Sequence, residues 1–216
     1  MIEPVKTRRT YDASGRREQA RRTRAAVLSV ARELFLATGY SATTMAAVAA
    51  AAQVSPQLVY KTFGNKAGLV KALFDVAIAG DDDPVRMVDR EALTRVREEP
   101  DPAAKLHLYG AFVATTAPRH VPVQLLVRAA ADTDREAAAL WQNLSDERLH
   151  GLARFADHLG PALRPGVTVD DARDLLWAHN SPELWDLLVL QRGWSPEDFG
   201  SFLAETLVSA LLPPGR

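Results

Sequence analysis

Two helix-start signals set close together, Thr43-Thr44 and Ser55-Pro56, constrain this chain more than any other feature of it. At each, a hydroxyl can accept from the first unpaired amides of a helix. At the second, proline takes the first helical position, where its missing N–H costs nothing. Gly64 breaks the helix that Ser55-Pro56 opens, and Asn65 can cap another beginning at Lys66. Residues 43–69 therefore read as two short helices with a tight junction, followed by the start of a third. The first, from Met45 to Ala52, is almost all alanine and valine, so a neighbouring helix can approach it closely.

The rest of the chain is helical by the same logic. Val27, Leu28, Ala31, Leu34 and Phe35 follow the 3, 4, 7 spacing of one buried face and predict a helix over 17–38, stopped by Gly39. Leu69, Val70, Leu73, Phe74, Ala77 and Ile78 extend the helix from Lys66 to about Gly80. Asp81-Asp82-Asp83-Pro84 is a break, and 85–99 is a helix with irregular ends. Asp101-Pro102 opens a helix to about Thr116. Pro118 is expected to stop it and Pro122 to start a short one to about Ala131. Thr133 and Glu136 have capping-box spacing and open a helix to about Leu159. Thr168 and Asp171 open a further helix towards Arg192, with a kink at Ser181-Pro182, and Ser195-Pro196 caps the last. There is no convincing strand and no repeat, so the expected class is all-α.

The net charge of −1 averages two unlike parts. Residues 1–71 hold 12 Lys and Arg against 4 Asp and Glu, whereas 72–216 hold 14 against 23. A basic head on an acidic body suggests that the head meets a polyanion. The absence of cysteine excludes disulfides and thiolate metal sites. No apolar run approaches the roughly 20 residues of a membrane span, and no signal peptide is legible, so a cytoplasmic protein with no membrane partner is expected. Residues 1–16 read as a basic flexible arm, 17–65 as the head and 66–212 as the body.

A helix that enters the major groove must be short, exposed and polar on one side. In the helix after Ser55, Gln57, Lys61 and Thr62 can form that side while Val54, Val59 and Phe63 bury the other. Gln57 can pair bidentately with an adenine, and Leu58 beside it can meet a thymine methyl.

Thr44, Ala49, Ala52, Val54-Ser55, Leu58, Val59-Tyr60, Phe63, Lys66 and Leu69 stand in an order and spacing that resembles the DNA-binding domain of TetR-family transcriptional regulators. Ala31, Leu34, Phe35 and Gly39-Tyr40 fit the helix before it, so the resemblance covers about residues 17–75. It implies a three-helix head with a helix-turn-helix and a larger helical regulatory and dimerisation domain. It implies that Tyr60 gives its hydroxyl to a phosphate, that Lys66 and the amides at the head of its helix lie on the DNA backbone, and that Thr44 is a second phosphate contact. Thr44, Ser55, Gln57, Leu58, Tyr60, Lys61, Thr62 and Lys66 form the expected DNA-binding set. One position departs from the family: Gln53 stands where glycine is usual. If the turn is kept, Gln53 carries positive φ at a cost of about 1 kcal/mol.

Residues 181–199 are also similar to the regulatory half of such regulators. The resemblance implies a homodimer closed by a four-helix bundle, with Leu184, Leu188, Phe199, Phe202, Leu203 and Leu207 at its interface. It also implies a cavity in the second domain, for whose wall Phe112, Trp141, Trp177 and Asn180 are the candidates. The effector is expected to be mainly apolar or aromatic, and its binding to release a repressor from a palindromic operator. No cofactor or catalytic residue is expected. The competing readings are a metal-dependent helical enzyme and a non-specific DNA-binding protein. The enzyme would rest on Glu147 and His150, one Glu-x-x-His pair where di-iron sites need two.

Overall fold

The computed structural model describes residues 13–79 and 91–214, and every regular element in them is helical. Most of the basic arm and the Asp81-Asp82-Asp83 break lie outside the described residues. The order is α1 (Ala13–Ala42), α2 (Met45–Ala51), α3 (Pro56–Phe63), α4 (Lys66–Ala79), α5 (Glu91–Glu98), α6 (Pro102–Ala130), α7 (Arg135–Leu159), α8 (Val169–His179), α9 (Pro182–Trp185) and α10 (Pro196–Leu211). A 3-10 turn at Gly160–Ala162 follows α7, and a π-helical turn at Asp186–Gln191 follows α9.

The head is built as its start and stop signals dictate. At Gly39, φ 84 and ψ 169 break the helical path of α1, so that Tyr40 folds back, buried and stacked 6.0 Å from Phe35. The buried Thr43 hydroxyl donates to the Gly39 carbonyl at 2.7 Å and fixes the entry to α2. Thr44 Oγ1 accepts from the Ala47 amide, and Ser55 Oγ accepts from the Leu58 amide. The positive charge at the start of α1 is answered within the helix, because Glu18 pairs with both Arg21 and Arg22 at 3.0 Å.

Gln53 has φ 55, and among the described residues it is the sole non-glycine with positive φ. The Val54 amide then reaches the Ala49 carbonyl at 3.0 Å and turns the chain from α2 into α3. Gln53→Gly should therefore relieve strain of about 1 kcal/mol and raise the melting temperature by roughly 2–4 °C. A lower melting temperature would remove the positive-φ assignment.

Two expectations need correction. Pro118 does not stop a helix and Pro122 does not start one, since α6 runs unbroken through both. Each proline removes one amide donor from the helix. Pro122 leaves the Pro118 carbonyl without its helical partner, and Arg32 of α1 donates to that carbonyl and to that of Arg119, both at 3.4 Å. A side chain from the head thus supports the backbone where the sequence weakens it. The cap of α7 is Asp134 rather than Thr133, its carboxylate accepting from the Glu136 and Ala137 amides. The predicted kink at Ser181-Pro182 is present: α8 ends at His179, and Ser181 caps α9. The box that opens α8 is complete, with Thr168 and Asp171 each accepting from the other's amide.

The buried side chains form two clusters. One joins Val27, Phe35, Val48, Val59 and Leu69 of the head to Val123 and Val127 of α6 and to Leu140 and Leu144 of α7. The other lies wholly in the body, where Leu106 and Val113 of α6 meet Leu176, Trp185, Phe199, Leu203 and Leu207. Its tightest point is the crossing of α6 and α10, where Gly110 and Gly200 face each other backbone to backbone. At the far end of α6, the buried Lys105 donates to the Arg97 carbonyl at 3.2 Å and ties α5 down.

Candidate nucleic-acid interface and ligand cavity

α3 has one buried edge and one open one. Val59 and Phe63 sit in the head's cluster, while Gln57, Leu58, Lys61 and Thr62 are exposed and Tyr60 is 52% exposed. Phe63 is covered by the Arg24 guanidinium, 4.8 Å from its ring centre, so that Arg24 braces the buried edge. The Thr62 hydroxyl donates to the Leu58 carbonyl at 2.7 Å and keeps an oxygen lone pair for an incoming donor. Thr44 and Ser55 use an oxygen lone pair for capping, which leaves each O–H able to donate to an external acceptor. These hydroxyls stand at the N-termini of α2 and α3, where partial positive charge favours an anion.

Lys66 is differently placed. Its ammonium donates to the Tyr40 carbonyl at 3.1 Å and lies 4.2 Å from the centre of the Tyr40 ring. It is half-buried, with one of its three donors engaged inside the head.

In the body, α4, α5, α6, α7 and α9 enclose a cavity of about 500 Å³. Its wall includes Phe74, Val96, Val121, Leu152, Phe155 and Phe199, with Tyr109, His120, Gln124, Arg148, Asn180 and Trp185 as polar members. The Asn180 amide donates to the Tyr109 hydroxyl at 2.7 Å. Arg148 donates to the carbonyls of Trp177 and Asn180 at 2.6 and 2.8 Å, and its guanidinium lies over the Trp177 ring. Burial pushes the Tyr109 phenol up and the Arg148 guanidinium down.

His120 stands edge-on to Phe74, with ring centres 4.9 Å apart. Burial lowers its pKa to about 4; Gln124 beside it opposes the shift and the Arg148 charge adds to it. The folded protein therefore holds His120 neutral, while the unfolded chain binds the proton near pH 6.5. Stability should fall as the pH drops from 6.5 towards 4, because only the unfolded state gains a proton there. The expected loss between pH 7 and 5 is roughly 1–2 kcal/mol, discounted for the partial exposure of the ring. Urea midpoints across this range should show the slope in the wild type and a flatter profile in His120→Asn.

Of the four residues expected in the cavity wall, Asn180 alone lines this cavity. Phe112 faces a separate groove beside α5, and Trp141 packs on the head's cluster under Arg128. Trp177 is an exposed ring beneath Arg148. His120, Gln124, Arg148 and Trp185 were not expected there. His120 and Gln124 lie on the same face of α6 as Ala117 and Val121, so two polar residues within an apolar stripe were the legible signal.

The expected dimer surface is corrected in part. Phe199, Leu203 and Leu207 are buried within the protomer, where α10 closes the body's core. Leu184, Leu188 and Phe202 are half-buried. The exposed apolar side chains of this region are Leu187 and Leu190, each 51% exposed, and Trp194. Sequence periodicity missed them because the π-helical turn shifts which side chains point outward. Glu147 pairs with Lys71 of α4 at 3.2 Å, and His150 lies on the cavity rim. Among the described residues, no three His, Asp or Glu side chains gather as a metal site.

Residues 27–73 match the family model described as bacterial regulatory proteins, tetR family. No curated protein matches the chain. Its fold is similar to that of NalD, the secondary repressor of the MexAB-OprM multidrug efflux pump in Pseudomonas aeruginosa. That match has 23% identity and a TM-score of 0.68, covering 92% of this chain and 100% of the other. It is also similar to the fatty acid degradation regulator FadR from Bacillus halodurans, with 16% identity and a TM-score of 0.69 over 86% and 94%. A third similar structure is a transcriptional regulator from Aquifex aeolicus, with 16% identity and a TM-score of 0.60 over 86% and 97%.

Proposed function

From the match of residues 27–73 to the TetR family model, we propose that the chain is a TetR-family regulator: a dimeric, sequence-specific repressor released from a palindromic operator by a small molecule. The observation that carries this reading is the two-sided α3: Val59 and Phe63 hold it to the head while Gln57, Leu58, Tyr60, Lys61 and Thr62 stand outward together. Gln57 and Leu58 read base edges, and Tyr60, Lys61, Thr44 and Ser55 hold phosphates. Lys66 holds Tyr40 and offers its remaining donors to the backbone.

Two-fold operators call for a two-fold protein. The second copy packs on Leu187, Leu190, Trp194 and Phe202, with Leu184 and Leu188 at the margin of the patch. Leu187→Asp combined with Leu190→Asp should convert a dimer to a monomer in size-exclusion chromatography. Elution of the unaltered protein at monomer mass at micromolar concentration would remove the dimer. The effector occupies the 500 Å³ cavity and favours a dimer geometry whose reading heads no longer match the half-site spacing.

Selection of bound sequences from random duplex DNA tests the function. The expected product is a palindrome with two half-sites. A pool without consensus, bound with an affinity set by salt alone, would favour non-specific binding.

A further inference from the structure

The cavity wall contains polar atoms that the protein itself does not satisfy. Gln124 Nε2, Arg148 Nε, Trp185 Nε1 and His120 Nδ1 are all covered and have no hydrogen-bond partner in the protein. All four side chains line the cavity, and Gln124 and Trp185 are each 2% exposed. The Gln124, Arg148 and Trp185 atoms can only donate. Buried donors left unsatisfied are costly, at about 1–3 kcal/mol each, so a ligand that supplies acceptors recovers that cost on binding.

The charges point the same way. Among the described residues no carboxylate is within ion-pair distance of Arg148, although the Glu183 charge acts on it from farther away; its guanidinium is held by two carbonyls and an indole face. The carboxylates in the cavity wall, Asp75 and Glu147, lie at its more exposed side and are both held by Lys71, at 2.6 and 3.2 Å. The wall thus offers the half-buried Arg148 cation and buried neutral donors, while both of its carboxylates are already held by Lys71.

We propose that the cavity takes an apolar or aromatic molecule bearing a carboxylate, which is set against Arg148 while Gln124 and Trp185 donate to its oxygens. The apolar body lies on Phe74, Val121, Leu152 and Phe155. For the covered donors to meet the carboxylate, their side chains must turn towards it as the ligand binds. This inference rests on the reading of the cavity as the effector site.

Three probes that share one body test it: biphenyl-4-carboxylate, biphenyl-4-carboxamide and biphenyl-4-ylmethylammonium, titrated calorimetrically into the full chain at pH 7.5. The expected order of affinity is carboxylate, carboxamide, ammonium, with at least tenfold between the first and last. Arg148→Met should abolish that preference without weakening the ammonium compound. Because Arg148 also ties α7 to the end of α8, Trp185→Phe is the companion variant. It keeps the ring, removes one donor, and should cost the carboxylate about tenfold. Equal or tighter binding of the ammonium compound overturns the proposal, as does no binding of any probe, or a carboxylate affinity unchanged in both variants. Duplex selection on the same protein separates the two readings. A selected palindrome without carboxylate binding sinks the ligand class alone. Carboxylate binding without any selected duplex sinks the repressor and leaves the cavity chemistry standing.

Discussion

Gly110→Ala is expected to lower the melting temperature by roughly 6–12 °C, a loss of about 3 kcal/mol. A Cβ built on Gly110 stands 2.3 Å from the Gly200 carbonyl oxygen, and one on Gly200 stands 2.6 Å from that of Gly110. The obstructing atoms are backbone, so no side-chain rotation relieves the clash. α6 and α10 must separate, which loosens Leu106, Val113, Phe199, Leu203 and Leu207 in the body's cluster. Gly200→Ala should behave alike, because its Cβ also meets that of Ala114 at 2.9 Å. Gly151→Ala is the internal control. It is a helical glycine whose added Cβ meets nothing within 4 Å, and it should stabilise by about 0.5–1 kcal/mol. Thermal unfolding of the three variants checks the argument, and a Gly110→Ala protein as stable as the wild type would contradict the close crossing.

Gln57→Ala is expected to weaken binding to the selected operator by about 1–3 kcal/mol, or roughly 5–150-fold, and to relax the preference at one base pair in each half-site. Tyr60→Phe should differ in kind. It removes the hydroxyl proposed to meet a phosphate, so binding to all sequences should weaken together, with no change in consensus. Competition binding with substituted duplexes separates the two. If Gln57→Ala changed neither affinity nor consensus, the reading face would have to lie elsewhere on α3.

How far the sequence carries can be judged from particular residues. Ser55-Pro56, Gly39, Gly64 and the strained Gln53 all act where they stand, because caps and left-handed turns are set by chemistry within a few residues. Pro118 and Pro122 misled for the converse reason. Whether proline ends a helix depends on what else supports the backbone, and here one support comes from Arg32, far away in sequence. Thr133 lost its place to Asp134, an equally good cap one residue on. The cavity was the least legible part. Periodicity tells that Phe112 or Trp141 faces inward; it does not tell whether that side meets a packed core or an open space. Phe199, Leu203 and Leu207 show the same limit, since an apolar helix face fits a partner subunit and the protomer's own core equally well.

The cluster that holds α3 in place reaches into α6 and α7. Excised at the end of α4, residues 13–79 would turn Val70 and Leu73 from packed neighbours into wet surface, with no replacement for Val123, Val127, Leu140 and Leu144. Any molecule that stabilises the body therefore also changes the free energy of keeping α3 ordered. Protection of the α3 amides from hydrogen exchange should report on cavity occupancy even in a protein that has never met DNA.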